Sequence, residues 1–197
     1  MRSARLHIEL RGYWHSGGGV GSGAVADALV QRDSGGLPVL PGRHLKGLLR
    51  EAVAAAGVWQ WPGYEGLAAT LFGERDEETE TVPAAGALRV SDATLPSETA
   101  AWLSGTEDGR ALRPGLFRIL HSTAVDPESG TAAKHTLRGI EVSVPLALEA
   151  RIAPVKGEGP ADWEERLKEV LPLIRAVGAQ RQRGLGRAVL SLKEETA

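Results

Sequence analysis

The chain has 197 residues, a formal net charge of -2, 42% hydrophobic and 24% charged residues, and no cysteine. That length can bury a substantial core, the charge gives no bulk attraction to nucleic acid, and disulfides and thiolate metal sites are excluded. No apolar run approaches the roughly 20 residues of a membrane span, and MRSARLHIEL begins like a strand rather than a signal peptide, so a cytoplasmic chain without a membrane segment is expected.

Leu6, Ile8 and Leu10 alternate with His7, Glu9 and Arg11, the period of a half-buried strand that ends near Trp14. HSGGGVGSGAVAD follows, a glycine-rich loop that lets backbone amides approach a phosphate but precedes no nucleotide-binding helix. The next stretch, GLPVLPGRHLKGLLREAV from Gly36 to Val53, is the one around which the chain is organised. Pro38 and Pro41 hold the backbone extended, and Gly42 permits an entry that a side chain would obstruct. A helix is predicted from Arg43 or His44, with Leu45, Leu48, Leu49 and Val53 as its apolar stripe and Lys46 and Arg50 on another face. Unpaired amides at its N-terminus beside Arg43 and Lys46 would make a phosphate site, although a solvated basic face is the plainer reading.

Leu67, Leu71 and Phe72 fit a short second helix, Glu74 to Glu80 a solvated loop, and Ala87 to Ala93 a strand with Asp92 at its end. Thr94 to Pro114, rich in turn residues, reads as an excursion rather than core. Two long strands are expected between Gly115 and Ile152, joined by DPESGTA. ADWEERLKEVLPLIRAVG gives an amphipathic helix through Ile174 and past Pro172, ended by Gly178. In AQRQRGLGRAVLSL, Arg181, Arg183 and Arg187 surround Gly184 and Gly186 before a last strand. This order fits an α+β fold with a ferredoxin-like βαββαβ core, one domain over 1–197 with insertions near 74–86, 94–114 and 126–136.

Single residues leave alternatives open. His15 and His121 could act as general acid or base, but a structural or surface histidine is the commoner reading. Asp92 and Asp126 read as structural. Trp14, at the mouth of the glycine loop, could stack a base, whereas Trp163 on its stripe reads as a core anchor.

GLPVLPGRHLKGLLREAV, LFGE, LRVSDA, HSTAVDPESGTAAKHTLRGIEVS and GAQRQRGLGRA, in that order, resemble the signature blocks of the RAMP superfamily, the repeat-associated CRISPR proteins of antiviral defence. Asp27 to Arg50 is most similar to the backbone subunits of type III effector complexes, which line a guide RNA and cut the paired target RNA. The resemblance implies an RRM-like core, a thumb built from an inserted hairpin, and a basic groove along the guide. Arg43, His44, Lys46 and Arg50 match the block that approaches guide phosphates, and Arg181, Arg183 and Arg187 match the C-terminal glycine-rich loop. Asp27 matches the loop aspartate on which target cleavage depends, and it would work with a divalent ion, Mg or Mn. The implied partners are guide RNA, complementary target RNA, other complex subunits and further copies of the chain. A non-catalytic subunit that binds or caps the guide, or a guide-processing endoribonuclease using histidine, are the alternatives. GRHLKG stands where many backbone subunits carry a serine pair before Leu-Lys-Gly.

Overall fold

Alternation at Leu6, Ile8 and Leu10 forms β1 (Ser3–Leu10), and these side chains are almost closed to solvent. The computed structural model describes residues 3–19, 26–74, 84–133, 135–155 and 159–195. Antiparallel neighbours flank β1 on both sides: Leu6 lies opposite Ala150 of β5 (Ala147–Pro154) and opposite Leu192 of β6 (Ala188–Glu195). β2 (Leu88–Val90) joins the outer edge of β5, which makes the order β2-β5-β1-β6.

α1 (Gly42–Val58) lies between β1 and β2 in the chain, and α5 (Trp163–Val170) lies between β5 and β6. Leu45, Leu49 and Val53 of α1 and Trp163 and Leu167 of α5 share one core with Leu6, Ile8, Leu148 and Ile152 of the sheet. Leu49 is fully buried, so truncating it to Ala would cost about 2–5 kcal/mol. The short α2 (Leu67–Phe72) adds Leu71 and Phe72 to the same core. Helix and antiparallel sheet thus combine in an α+β fold.

The entry to α1 shows why its sequence is as it is. A Cβ on Gly42 would meet the backbone of Val90 and Ser91, so only glycine lets the helix start against the end of β2. Pro41 supplies no side-chain cap, and Asp92 Oδ1 instead accepts the Gly42 N–H at 2.7 Å.

Three expected segments fold differently. α5 stops at Val170, and Leu171–Leu173 form a 3-10 turn before Ile174 becomes extended, because Pro172 lacks the N–H that a continuing helix needs. The second long strand divides at Val144 and Pro145: β4 (Arg138–Ser143) pairs with β3 (Phe117–Ser122) in a separate ribbon, while β5 enters the main sheet. Thr94 to Pro114 holds two helices, α3 (Ser97–Gly105) and α4 (Glu107–Leu112), and Leu95 and Leu103 reach the core, so it is more than an excursion. Of the glycine loop, residues 20–25 lie outside the described residues, as do residues 75–80 of the acidic run. The loop's two arms are joined where Gln31 N–H donates to Ser16 O at 2.7 Å.

Candidate functional site

The glycines of the C-terminal block set the site's backbone. Gly178, Gly184 and Gly186 all have positive φ, as does Gln180 at 55°. Between them Arg181–Arg183 form one 3-10 turn that carries its arginines outward, all of them exposed. The stems of this loop are paired: Val177 N–H donates to Gly186 O at 2.9 Å and Ala188 N–H to Arg175 O at 3.0 Å. A third backbone completes the ladder, with Arg11 N–H donating to Arg187 O at 2.8 Å.

That ladder places Arg11, Arg187 and Arg175 on three adjacent backbones. Together with Arg181 they line an open cleft of about 930 Å³, floored by Leu171, Ile174 and Leu190. Arg11 is paired with Glu9 at 3.2 Å, and Arg181 lies 3.9 Å from Glu51 of α1. Among the described residues, Arg175, Arg183 and Arg187 have no carboxylate within salt-bridge distance. On a chain of net charge -2, this is a strong local concentration of positive charge.

The loop docks on α1. Gly178 N–H donates to His44 Nε2 at 2.8 Å, so the imidazole nitrogen accepts and must be unprotonated. Burial and the neighbouring Arg181 charge both hold the His44 pKa below the ordinary 6.5, against a weaker opposing pull from Glu51. The two basic blocks read from the sequence therefore meet at His44. Arg43 is exposed and Lys46 and Arg50 are half-buried, on the flank of α1 that turns away from its core stripe. The helix N-terminus itself is not the anion site expected, because the Asp92 carboxylate already occupies its first amide.

Asp27 sits elsewhere, on the separate ribbon. Its N–H donates to Gly139 O at 2.8 Å, and its Oδ2 accepts the Gly139 N–H at 2.9 Å. The residue is exposed, and no hydrogen bond reaches Oδ1 among the described residues. Gly139 faces His121 across the β3–β4 register, and His121 is also exposed. No group of three or more His, Asp or Glu side chains is gathered to hold a metal among the described residues. Asp27 would offer a divalent ion its open Oδ1.

Two residues at the glycine loop are structural, Trp14 against the expected stacking role and His15 in line with the commoner reading. Trp14 is fully buried with its indole N–H on Val144 O at 3.0 Å, so it offers no face on which a base could stack. His15 is also buried, and its Nδ1 lies 2.7 Å from Glu141 O and so carries the proton. His15 O meanwhile accepts the Ala179 N–H at 2.7 Å, so this residue ties the C-terminal loop to β4.

The RAMP superfamily model matches residues 7–189. The chain belongs to the RAMP superfamily. No curated protein matches it significantly in sequence. A chain of type III-B Cmr-beta, solved by cryo-EM bound to cognate target RNA, superposes on this RAMP protein with a TM-score of 0.70 at 12% identity, covering 96% of each chain. A chain of the apo-state structure gives 0.68 at 13%, again covering 96% of each. At such identities the likeness is one of fold.

In the sequence of this RAMP protein, Arg11 reads only as part of a strand's polar face, and nothing singles out Arg175. Each is a single charge at the end of an apolar stretch, and only the non-local ladder through Arg187 gathers them. Asp27 and the Arg181 loop, both picked out, are not brought together.

Proposed function

We propose that this RAMP protein is a backbone subunit of a type III-like CRISPR ribonucleoprotein, binding guide RNA and cleaving complementary target RNA at Asp27. The observation that carries the reading is the docking of the Gly178–Gly186 loop on α1, which concentrates arginines on a chain of negative net charge. Strand order β2-β5-β1-β6, with α1 and the short α2 in the first crossover and α5 in the second, supports a ferredoxin-like, RRM-like core. The β3–β4 ribbon and its connection supply the thumb. Arg43, Lys46, Arg50, Arg183 and Arg187 hold guide phosphates, with other complex subunits and further copies of the chain alongside.

Asp27 is suited to cleavage because it is both anchored and open. One bond to Gly139 fixes the Asp27 backbone and the other its Oδ2, while Oδ1 is available to the ribose 2′-hydroxyl. Accepting the hydrogen of that hydroxyl aligns the 2′-oxygen with the adjacent phosphorus, and attack breaks the bond to the 5′-oxygen. A magnesium or manganese ion, when bound, would neutralise developing charge on the phosphate.

The test uses the assembled ribonucleoprotein with a complementary RNA. Asp27→Ala should lower cutting at least a hundredfold and leave target binding unchanged. Undiminished cutting by the mutant would remove Asp27 from the chemistry. Full binding without cutting by the wild type would make the chain a non-catalytic subunit.

A further inference from the structure

A second arginine-lined cleft lies on the ribbon beside Asp27, and none of its arginines stands out in the sequence. Its volume is about 800 Å³, within the range of small-ligand pockets. Arg110 comes from α4, Arg113 from the turn after it, Phe117 and Arg118 from β3, Glu141 from β4, and Arg32 from the segment before α1.

The floor is rigid. Arg32 lies over the Phe117 ring, 3.8 Å from its centroid, and its Nη2 donates to Glu141 Oε1 at 2.7 Å. Glu141 Oε2 also accepts the Val30 N–H at 3.0 Å, so this buried carboxylate is balanced and holds Arg32 against the ring. The other three arginines are oriented by carbonyls. Arg113 donates from Nε to Leu103 O at 2.8 Å and from Nη1 to Gly35 O at 3.0 Å. Arg110 Nη1 donates to Ser104 O at 3.2 Å, and Arg118 Nη1 to Phe117 O at 2.7 Å and to Gly115 O at 3.1 Å. None of these three has a carboxylate within 4 Å among the described residues. Each keeps N–H donors free, because a guanidinium has five. Setting Arg32 against Glu141 leaves three uncompensated cations around an aromatic floor, a combination suited to a phosphate with an attached base.

Position on the ribbon says which strand this would be. Phe117, Ile119 and His121 of β3 face Ser143, Glu141 and Gly139 of β4. Gly139 holds Asp27, and Glu141 lies two residues further along the strand, a distance of roughly 7 Å. Cleft and carboxylate therefore stand side by side on one ledge.

We propose that this cleft seats a nucleotide of the target strand next to the phosphate presented to Asp27, with Arg110, Arg113 and Arg118 on its phosphate and Phe117 with Arg32 beneath its base. The proposal rests on the reading of Asp27 above. It makes these residues positioning groups for the strand that is cut, separate from the guide contacts at α1 and the C-terminal loop.

The experiment is photocrosslinking in the assembled ribonucleoprotein, with 4-thiouridine in the target strand in one arm and in the guide in the other. Adducts on the peptide containing Phe117 are expected from the target arm. The double variant Arg110→Glu with Arg118→Glu should weaken target binding tenfold or more and leave guide retention unchanged. Should that variant lose guide as well, through misfolding, the single Arg118→Ala must still reduce the target-arm adduct. Adducts from the guide arm alone, from neither arm, or unchanged target affinity in a variant that retains guide would overturn the proposal. Failure of the Asp27 reading looks different: the adduct persists while Asp27→Ala still cuts.

Discussion

His44 and Gly178 are joined by a hydrogen bond of 2.8 Å in which the imidazole is the acceptor, so this bond between the C-terminal loop and α1 is made only while His44 is neutral. Burial and Arg181 lower the folded-state pKa of His44 below the 6.5 it would have in the unfolded chain. The unfolded chain therefore takes up the proton first. The stability this site contributes is present above pH 6.5 and lost as pH falls through the folded value. Thermal unfolding of the free protein should show a falling midpoint below that pH. His44→Ala should cost about 1 kcal/mol at pH 7.5 and flatten the acid side of the profile. An unchanged profile in the mutant would show that His44 is not the group responsible.

Much of the fold was legible because its signals are local. Alternation around Leu6 and Ile8, the stripe through Leu45 and Leu49, and the glycines around Arg181 each dictate structure within a few residues. Failures occurred where the outcome is set at a distance. Asp92 supplies the cap that Pro41 lacks, fifty positions from the Gly42 amide it binds. Whether the segment Arg138 to Ile152 makes one strand or two depends on β3 capturing its first half, with Pro145 at the break. Trp14 sits beside a loop in sequence, yet Val144 closes over its indole. In the candidate site, Arg181, Arg183 and Arg187 could be named, but not the arginines that join them from other elements, since neither cleft is assembled from one contiguous block.

Gly186 is the position in the C-terminal block least able to change. Its φ is +74°, and a Cβ there would fall on Val177 O, in the stem of the loop. Gly184 has a similar φ of +87° but nothing near its Cβ. Gly184→Ala should therefore cost only the left-handed penalty of about 1–2 kcal/mol, and Gly186→Ala more, by about another 1–3 kcal/mol from the clash. Chemical denaturation of the two variants measures the difference directly. Equal losses would show that the stem has room to relax.

Asp92 should matter for stability through a single bond. Losing the carboxylate leaves the Gly42 amide of α1 without its side-chain partner, which costs about 1 kcal/mol for a typical helix cap. Asp92→Ala should lower the melting midpoint by roughly 2–4 °C in a chain of this size, while Asp92→Asn, still an acceptor, should lose less. If alanine and asparagine behave alike, the charge at the helix terminus rather than the hydrogen bond is what α1 uses.

The arginine ladder makes a quantitative statement about salt. Arg183 and Arg187 have no carboxylate neighbour among the described residues, so each is available to a phosphate, whereas Arg181 shares its charge with Glu51 at 3.9 Å. A phosphate contact to single-stranded nucleic acid contributes about 0.7 to the slope of log affinity against log salt. Arg183→Ala with Arg187→Ala should weaken guide-RNA binding at low salt and reduce that slope by about 1.4, with the two curves converging as salt rises. Glu51→Ala should act in the opposite direction, because it removes the anion that competes for Arg181. Affinities measured from low to high salt on the full chain with its guide decide the matter. A loss that is the same at every salt concentration would mean that the arginines hold the loop in shape instead of contacting the strand.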